Sequence, residues 1–291
     1  MRVGTRGSAL ALTQAGTVAE MLGADARLVP ITTSGDRDRA GSDKEKWVKE
    51  LELALLAGEI DLVVHSAKDV PSVLPDGLEL VGAPPRADPL DALVGASSLD
   101  ELREGARVGT ASLRRAAQLR ALREDLEVVA IHGNVDTRLR LLAEGDLDAL
   151  VLAAAGLRRL GREGEIGCLL TELVPAAGQG VLALEARIGD EAAAGAARAI
   201  TDAASWDALS AERALVARLD ASCNTPLGAH SRIGTGGIVL RTFVGLPDGS
   251  AWLRDETPPA PDPEAAGELA AGRLLAAGAA ELLRRAEELA A

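Results

Sequence analysis

The sequence predicts an α/β protein in which two α/β domains precede a small α+β domain. First, short apolar stretches alternate with stretches of helical period over roughly the first 200 residues. Second, segments rich in proline or glycine interrupt this alternation at residues 84–89 and 175–180, where we expect the chain to cross between domains. Third, after about residue 202 a helix, two strands and a long Ala/Leu-rich helix follow one another without that alternation.

These observations divide the chain into three predicted domains. Domain 1 is expected over residues 1–84 and 181–201, domain 2 over 85–180 and domain 3 over 202–291. In domain 1 we expect strands at 2–5, 27–32 and 60–65, a helix capped by Ser8, a polar loop at 35–46 and a helix at 47–57. A strand at 182–186 is expected to return to the first sheet.

The remaining elements follow from the same patterns. In domain 2 we expect strands at 107–109, 126–131 and 149–153, and helices that begin near Ser112, near Asn134 and at residue 157. In domain 3 we expect a helix at 208–219, strands at 238–244 and 251–255, and a closing helix at 264–290.

Composition excludes several classes of function. The 291 residues carry a net charge of −13 and include one Phe, no Tyr and three Trp, which argues against a surface for nucleic acid. Cys168 and Cys223 form no disulfide framework and no zinc-binding spacing, so we expect no metal. No signal peptide and no apolar run of membrane-spanning length is apparent, which predicts a soluble, cytosolic protein.

Residues 61–71, DLVVHSAKDVP, join a buried-type strand to a polar tip, and Pro71 prevents a helix from continuing there. The polar residues of this tip are His65, Ser66, Lys68 and Asp69. Open α/β sheets bind their ligands at such strand ends, and a neighbouring cation keeps a carboxylate ionised. Taken alone, the motif also fits a solvated turn with a local ion pair.

Arginines gather where predicted strands give way to helices; they are Arg6, Arg114, Arg115, Arg138, Arg158 and Arg159. Helix N-termini already attract anions, and arginine forks suit carboxylates. Each arginine alone fits an ordinary surface charge, but their repetition at several junctions predicts an anion-binding pocket.

Cys223 lies in a loop of small residues, LDASCNTPLGA, where a thiol can act as a nucleophile or an attachment point. The alternative is a small buried apolar residue, which suits Cys168 in IGCLL better. With only His65, His132 and His230 in the chain, a Ser-His-Asp triad is not indicated.

Taken together, these segments resemble the porphobilinogen deaminase (hydroxymethylbilane synthase) family from end to end. The matching segments are TRGSALALTQ, TSGD, VKELELALL, HSAKDVP, VGTASLRR, HGNVDTRL, LAAAGLRRLG, PAAGQGVLALE, LVARLDASC, SCNTPLGA and FVGLPDGS. HSAKDVP, and GTASLRR with GNVDTR downstream, are the most specific of them.

The resemblance implies a transferase that joins four porphobilinogen molecules head to tail with loss of ammonia, and then releases hydroxymethylbilane by hydrolysis. Domains 1 and 2 would form two lobes like those of periplasmic ligand-binding proteins. A dipyrromethane cofactor, built from substrate, would be bound to Cys223 of domain 3 through a thioether, and Asp69 of domain 1 would be the catalytic residue. The family is typically monomeric.

The resemblance also assigns further residues to the site. Those implied for the cofactor are Ser66, Lys68, Thr110, Ser112, Arg114, Arg115, Gly133 and Arg138. Those implied for the substrate are Arg6, Ser8, His132, Arg159 and Gln179, and Lys44 and Trp47 match the family's active-site loop.

Several positions depart from the family pattern. His132 stands where the family usually has arginine, which would make one carboxylate contact depend on pH. Ala111 replaces a common serine, and Ala221 and Ser222 replace the glycines that commonly precede the anchoring cysteine. The loop that ends in DKEKW is shorter than usual. Two alternatives therefore stay open, a bilobal ligand-binding protein without catalysis and an inactive deaminase paralogue.

Overall fold

Three β-sheets, each with its own helices, make up the fold. The computed structural model describes residues 1–33, 48–221 and 225–290. Three of the predicted site residues, Lys44, Trp47 and Cys223, lie outside these ranges.

The first sheet has the strand order β2-β1-β3-β10-β4. Its strands are β1 (Arg2–Arg6), β2 (Arg27–Ile31), β3 (Leu62–Ser66), β4 (Leu78–Gly82) and β10 (Leu182–Arg187). Strand β1 runs parallel to β2 and β3, whereas β10 runs antiparallel to β3 and β4. The predicted return of the chain to this sheet after residue 181 is therefore confirmed.

Helices cover both faces of the first sheet, because successive side chains of a strand point to opposite faces. They are α1 (Ala9–Leu22), α2 (Lys49–Leu56) and α6 (Glu191–Ala199). Leu62 and Val64 of β3 pack in the same buried cluster as α1 and α6, whereas Val63 packs with α2. This double covering accounts for the nearly continuous apolar run in β3.

The second sheet has the order β7-β6-β8-β5-β9. Its strands are β5 (Asp91–Val94), β6 (Arg107–Gly109), β7 (Glu127–Val129), β8 (Ala149–Ala153) and β9 (Cys168–Leu170). Its helices are α3 (Leu113–Leu122), α4 (Val135–Ala143) and α5 (Ala154–Arg159). Strand β6 is parallel to β7 and β8, and β5 is antiparallel to β8 and β9.

Both sheets thus have the same layout, three parallel strands followed by a strand of opposite direction and an edge strand. The sequence shows no repeat of fixed period. In each sheet, the antiparallel strand beside the three parallel strands follows a crossing between domains. It is β10, after the second crossing, in the first sheet, and β5, after the first crossing, in the second sheet. The fold therefore repeats in topology rather than in sequence.

The third sheet is an antiparallel meander of β11 (Leu227–Gly234), β12 (Gly237–Gly245) and β13 (Trp252–Glu256). Helices α7 (Ala203–Arg218), α8 (Pro263–Ala276) and α9 (Ala279–Ala290) accompany it. Side chains from α7, β12 and α8, among them Leu215, Leu240 and Leu274, form its core. The α/β class with a small α+β C-terminal unit is confirmed, and the domain boundaries themselves stay predictions.

Some elements differ from those predicted. The closing helix is divided in two at Gly278, whose φ of 96° lies in the left-handed region that ends helices. Helix α7 begins at Ala203, where Asp202 caps it, rather than at residue 208. The sequence patterns did not predict β4, β5, β9, β11 or α6.

No helix within residues 1–33, 48–221 and 225–290 is both long enough and apolar enough to cross a membrane.

Candidate active site

The tip of strand β3 is held rigidly from both sides of the first sheet. His65 is buried, and its Nε2 lies 2.7 Å from Oε2 of Glu185 on β10. Ser66, one residue further, exchanges hydrogen bonds with the buried Gln14 of α1, at 2.9 Å and 3.2 Å. The next residues, Ala67–Asp69, form one turn of 3₁₀ helix that presents Lys68 and Asp69 at the end of the strand.

Asp69 faces arginines of the second sheet. Its charge raises the pKa values of both Arg115 and Arg138, although burial lowers each of them more. The three side chains therefore lie within electrostatic range of one another. The role of this turn as a site, and its alternative as a solvated turn with a local ion pair, stay predictions.

Arg114 and Arg115 share one buried carboxylate, that of Asp91 on β5. Arg114 Nη1 donates to Oδ2 at 2.7 Å, Arg115 Nε donates to Oδ1 at 2.9 Å, and Gln179 Nε2 also donates to Oδ1 at 2.9 Å. Burial alone would raise the pKa of Asp91, but the charges and hydrogen bonds of the arginines hold it below its usual range. Two cations and one anion leave this cluster with a net positive charge.

Arg114 and Arg115 are also bound to the backbone. Arg114 Nη1 donates to the carbonyl of Val174 at 2.7 Å, and Arg115 Nη1 donates to that of Val151 at 3.0 Å. They are only 4% and 5% exposed. The predicted contact of these two arginines with a bound carboxylate stays a prediction, and in this structure their guanidinium groups meet Asp91.

Arg138 and Arg159 have different surroundings, because backbone carbonyls are their hydrogen-bond acceptors. Arg138 Nε donates to Gly133 at 3.0 Å, and Arg159 Nη2 donates to Gly180 at 2.7 Å. Burial lowers the pKa of each guanidinium to about 10. Within the described ranges neither forms a salt bridge, so both are desolvated cations suited to an incoming anion.

Several predicted polar residues build the helix starts around the cleft. Ser8 caps α1 and Ser112 caps α3, each accepting a hydrogen bond from a backbone N–H of the first turn. Thr110 Oγ1 accepts from the N–H of Ser112 at 3.2 Å. Gly133 has a φ of 107° and directly precedes the α4 cap Asn134. These contacts orient the helix N-termini toward the strand ends.

The other predicted residues lie at the same edges. Arg6 ends β1, which is parallel to β3, so it lies at the same edge as Ser66. Gln179 reaches both Asp91 and, at 3.5 Å, Arg115. His132 is exposed in the segment between β7 and α4.

Sequence reasoning missed a buried ion pair that joins the third sheet to both crossings. Arg86 Nη1 donates to Glu212 of α7 at 2.7 Å, and the N–H groups of Gly178 and Ser231 donate to the same carboxylate at 2.6 Å and 2.8 Å. Burial alone would raise the pKa of Glu212, but Arg86 and His230 lower it to about 2. This network fixes the third sheet and its helix α7 to the segments that connect the first two sheets.

The missed residues did leave signals in the sequence. Glu212 lies on the apolar face of its helix, four residues after Ala208 and three before Leu215. Asp91 opens the apolar run DALV, where an aspartate needs a cationic partner. Neither pattern identifies the arginine that pairs with the acid, because that arginine lies elsewhere in the chain.

Models of one family match most of the chain. Residues 1–195 match the model described as porphobilinogen deaminase, dipyromethane cofactor binding domain. Residues 206–276 match that described as porphobilinogen deaminase, C-terminal domain. The chain belongs to the porphobilinogen deaminase family.

Relatives with this family name match over nearly the whole chain. The porphobilinogen deaminase of Roseiflexus sp. (strain RS-1) is 47% identical over 295 residues, which cover 97% of both chains. That of Brevibacillus brevis (strain 47) is 44% identical over 307 residues, covering 99% of both chains. The family predicted from the motifs is thereby confirmed.

Among solved structures, a methionine-binding protein is similar over 68% of this chain and 86% of its own, with a TM-score of 0.43 and 18% identity. At this score the likeness carries no functional information.

The described residues fit the dipyrromethane cofactor of the porphobilinogen deaminase family. Each pyrrole ring of such a cofactor carries carboxylates, and Arg138 and Arg159 are partly desolvated cations that form no salt bridge within the described ranges. Asp69 lies on the opposite side of the same cleft, where it faces Arg115 and Arg138. The predicted anchor Cys223 lies outside the described residues, two positions after Ala221.

Proposed function

We propose that this chain is a porphobilinogen deaminase that joins four porphobilinogen molecules head to tail, with release of ammonia, on a covalent dipyrromethane primer. Hydrolysis then releases hydroxymethylbilane. The observation that carries the proposal is the match of residues 1–195 and 206–276 to the two porphobilinogen deaminase family models, and Asp69 lies within electrostatic range of Arg115 and Arg138 of the second sheet. This arrangement combines one carboxylate for chemistry with several cations for binding.

The arginines suit the substrate because each porphobilinogen brings an acetate and a propionate. Arg138 and Arg159 would bind such carboxylates directly, since no carboxylate of the described residues neutralises them by a salt bridge. Arg114 and Arg115 would contribute mainly through the net positive charge of their cluster with Asp91. The net charge of −13 does not prevent this, because pocket charges act within about a Debye length, roughly 8–10 Å.

Asp69 would act on the pyrrole nitrogen of the reacting ring. Its carboxylate can accept a hydrogen bond from the pyrrole N–H and stabilise the positive charge that develops as ammonia leaves. The rigid support of β3 by His65 and Ser66 keeps that carboxylate in place. When bound through Cys223, the dipyrromethane supplies the free α-carbon from which the chain grows.

We further propose that the enzyme is a cytoplasmic monomer without nucleic-acid or membrane partners, and that its domains follow the predicted boundaries. Its acidic charge and its cysteine content support the first part. The membership of β10 in the first sheet and of β5–β9 in the second supports the boundaries.

Mass spectrometry of the purified protein, combined with turnover of porphobilinogen, tests the function. We expect a dipyrromethane adduct that maps to the peptide containing Cys223, and release of ammonia from porphobilinogen. Asp69→Asn should lower kcat by about 10²-fold or more, because it removes the charge that stabilises the transition state.

The matched control is Asp76→Asn, which changes an exposed carboxylate of the same lobe and should leave kcat unchanged. An unmodified protein that only binds porphobilinogen would identify a binding protein. An adduct without turnover would identify an inactive paralogue. Equal kcat in Asp69→Asn and wild type would refute the role of Asp69.

A further inference from the structure

One arginine of helix α7 holds the backbone that directly follows Asp69. Arg213 Nη2 donates to the carbonyls of Pro71 and Ser72 at 2.7 Å and 3.1 Å, and its Nη1 donates to that of Val70 at 3.3 Å. In the described part of the chain, these carbonyls have no other hydrogen-bond donor. A single guanidinium from the third unit thus binds three successive peptide groups of the first lobe.

The turn has little other support on this side. The N–H of Ala67 donates to Val181 and that of Val70 donates to Ala67, so the entry to the turn is anchored by its own lobe. Pro71 has no N–H to donate, and the chain runs without a strand until β4 begins at Leu78. Val70 also packs against an apolar cluster that includes Leu209 of α7, so the exit from the turn combines this packing with the hydrogen bonds of Arg213.

Arg213 is half-buried, and the charge of a nearby carboxylate acts on it. Burial lowers the pKa of its guanidinium, and the charge of Glu185 raises it. Oε2 of Glu185 contacts His65, whereas its Oε1 is buried and has no hydrogen-bond partner in the described residues. Arg213 therefore binds the residues that follow Asp69 and lies within electrostatic range of the buried acid that contacts His65.

The same helix leads to the predicted anchor. Helix α7 ends at Arg218, and Asp220 then adopts a φ of 50° immediately before the segment that contains Cys223. At about 1.5 Å of rise per residue, Arg213 lies roughly 8 Å from the end of the helix. A helix of this length is stiff, so a contact at Arg213 fixes the Asp69 turn relative to the start of the anchor loop.

We propose that Arg213 is a positioning residue that fixes the catalytic turn of Asp69 to the helix that carries the cofactor anchor. This inference rests on the proposed deaminase function. Without the guanidinium, Val70 keeps its apolar packing, but the backbone after Asp69 loses the hydrogen bonds to α7, and the carboxylate is held less closely in position for the reacting ring. Loss of position lowers the rate of the chemical step more than it weakens substrate binding.

The test compares Arg213→Gln and Arg213→Lys with Arg241→Gln. Arg241 of β12 is a matched control, because it also donates to two carbonyls of another unit, those of Thr171 and Glu172, but far along the chain from Asp69. For protein with equal adduct content by mass, we expect Arg213→Gln to lower kcat by about 10- to 100-fold with KM changed by less than about 3-fold. Arg213→Lys, which keeps the charge without the fork, should show a smaller loss, and Arg241→Gln none.

Hydrogen exchange provides a readout that does not depend on turnover. Amides of residues 67–73 should exchange faster in Arg213→Gln than in wild type and in Arg241→Gln. Unchanged kcat and exchange, or an equal loss in Arg241→Gln, would overturn the proposal. If Arg213→Gln does not fold, Arg213→Lys is measured in the same way. Inactive wild type would refute the deaminase function, whereas faster exchange would still support the contact made by Arg213.

Discussion

Two neighbouring arginines of helix α5 show how surroundings decide what a charged residue can do. Arg158 is partly exposed and pairs with Asp88 at 2.7 Å. Arg159 is half-buried and donates to the carbonyl of Gly180, and this burial lowers its pKa to about 10. The charge of Arg158 is already paired with a carboxylate, whereas Arg159 can still bind an anion.

We expect Arg159→Gln to raise KM for porphobilinogen by about 10-fold or more, because a desolvated charge-assisted contact is lost. Arg158→Gln removes only a surface ion pair and should change KM by less than about 2-fold. Steady-state kinetics of both variants measure the difference. Equal effects on KM would show that Arg159 does not contact the substrate carboxylates.

At this scale, the sequence placed most candidate residues at the correct strand ends, because short motifs such as HSAKDVP determine their own local structure. It could not show that Arg114 and Arg115 meet Asp91. That contact joins residues 23 and 24 positions apart through tertiary packing, and no local pattern encodes it. The different surroundings of Arg158 and Arg159 could not be predicted from the sequence for the same reason, because they also depend on tertiary packing.

Among the elements, helix α7 joins the third unit to the first lobe and to both crossings. Adjacent residues on it, Glu212 and Arg213, bind different parts of the first lobe and of the crossings. The pKa of Glu212 is lowered to about 2 in the folded state, below the ordinary glutamate value of 4.5. A carboxylate with a lowered folded-state pKa stabilises the protein above its unfolded-state pKa, and this contribution is lost as pH falls through the folded value.

We expect Glu212→Gln to lower the free energy of unfolding at pH 7 by about 3 kcal/mol, because it leaves Arg86 without its charge partner. The difference from wild type should shrink as pH falls from about 4.5 toward 2, where the wild-type carboxyl becomes neutral. Urea unfolding at several pH values measures this. The control Glu191→Gln removes an exposed ion pair with Arg198 and should cost less than about 0.5 kcal/mol. If the difference in unfolding free energy did not depend on pH, the ionised carboxylate of Glu212 would not be the source of this stability.

Element prediction succeeded where capping residues and periodicity agreed. Ser8, Ser112 and Asn134 each cap the helix that they were expected to start. It failed for the short strands β5 and β9 and for β11, whose run of Gly, His, Ser and Arg lacks a strong alternation. Such strands form because neighbouring strands offer hydrogen bonds, which is a property of the sheet rather than of the segment.

For the whole molecule, the second crossing is the point where the units meet. Gly178 and Gly180 both have positive φ, and a Cβ at Gly180 would lie 2.4 Å from the carbonyl oxygen of Ala87 in the first crossing. The N–H of Ala87 also donates to the carbonyl of Gly180. The two crossings therefore run in direct backbone contact, and side chains are excluded between them.

We expect Gly180→Ala to lower the free energy of unfolding by roughly 3 kcal/mol or more, because it adds a backbone collision to the strain of a positive φ. Gly189→Ala is the control, since Gly189 has a similar φ of 83° but nothing within 4 Å of its Cβ position. That change should cost only about 1 kcal/mol. Chemical denaturation compares the two, and equal losses would mean that the crossings can separate without cost.

The desolvated cations of the cleft have a consequence for the life of the protein in the cell. Arg138 and Arg159 are half-buried and form no salt bridge within the described chain, so a carboxylate-bearing molecule bound there stabilises the folded state. On the proposed function, that molecule is built from the substrate and is not encoded in the gene. In a newly made chain, these two arginines then bind such carboxylates only when substrate is present. Protein abundance and precursor supply become coupled through resistance to degradation, without any dedicated regulator.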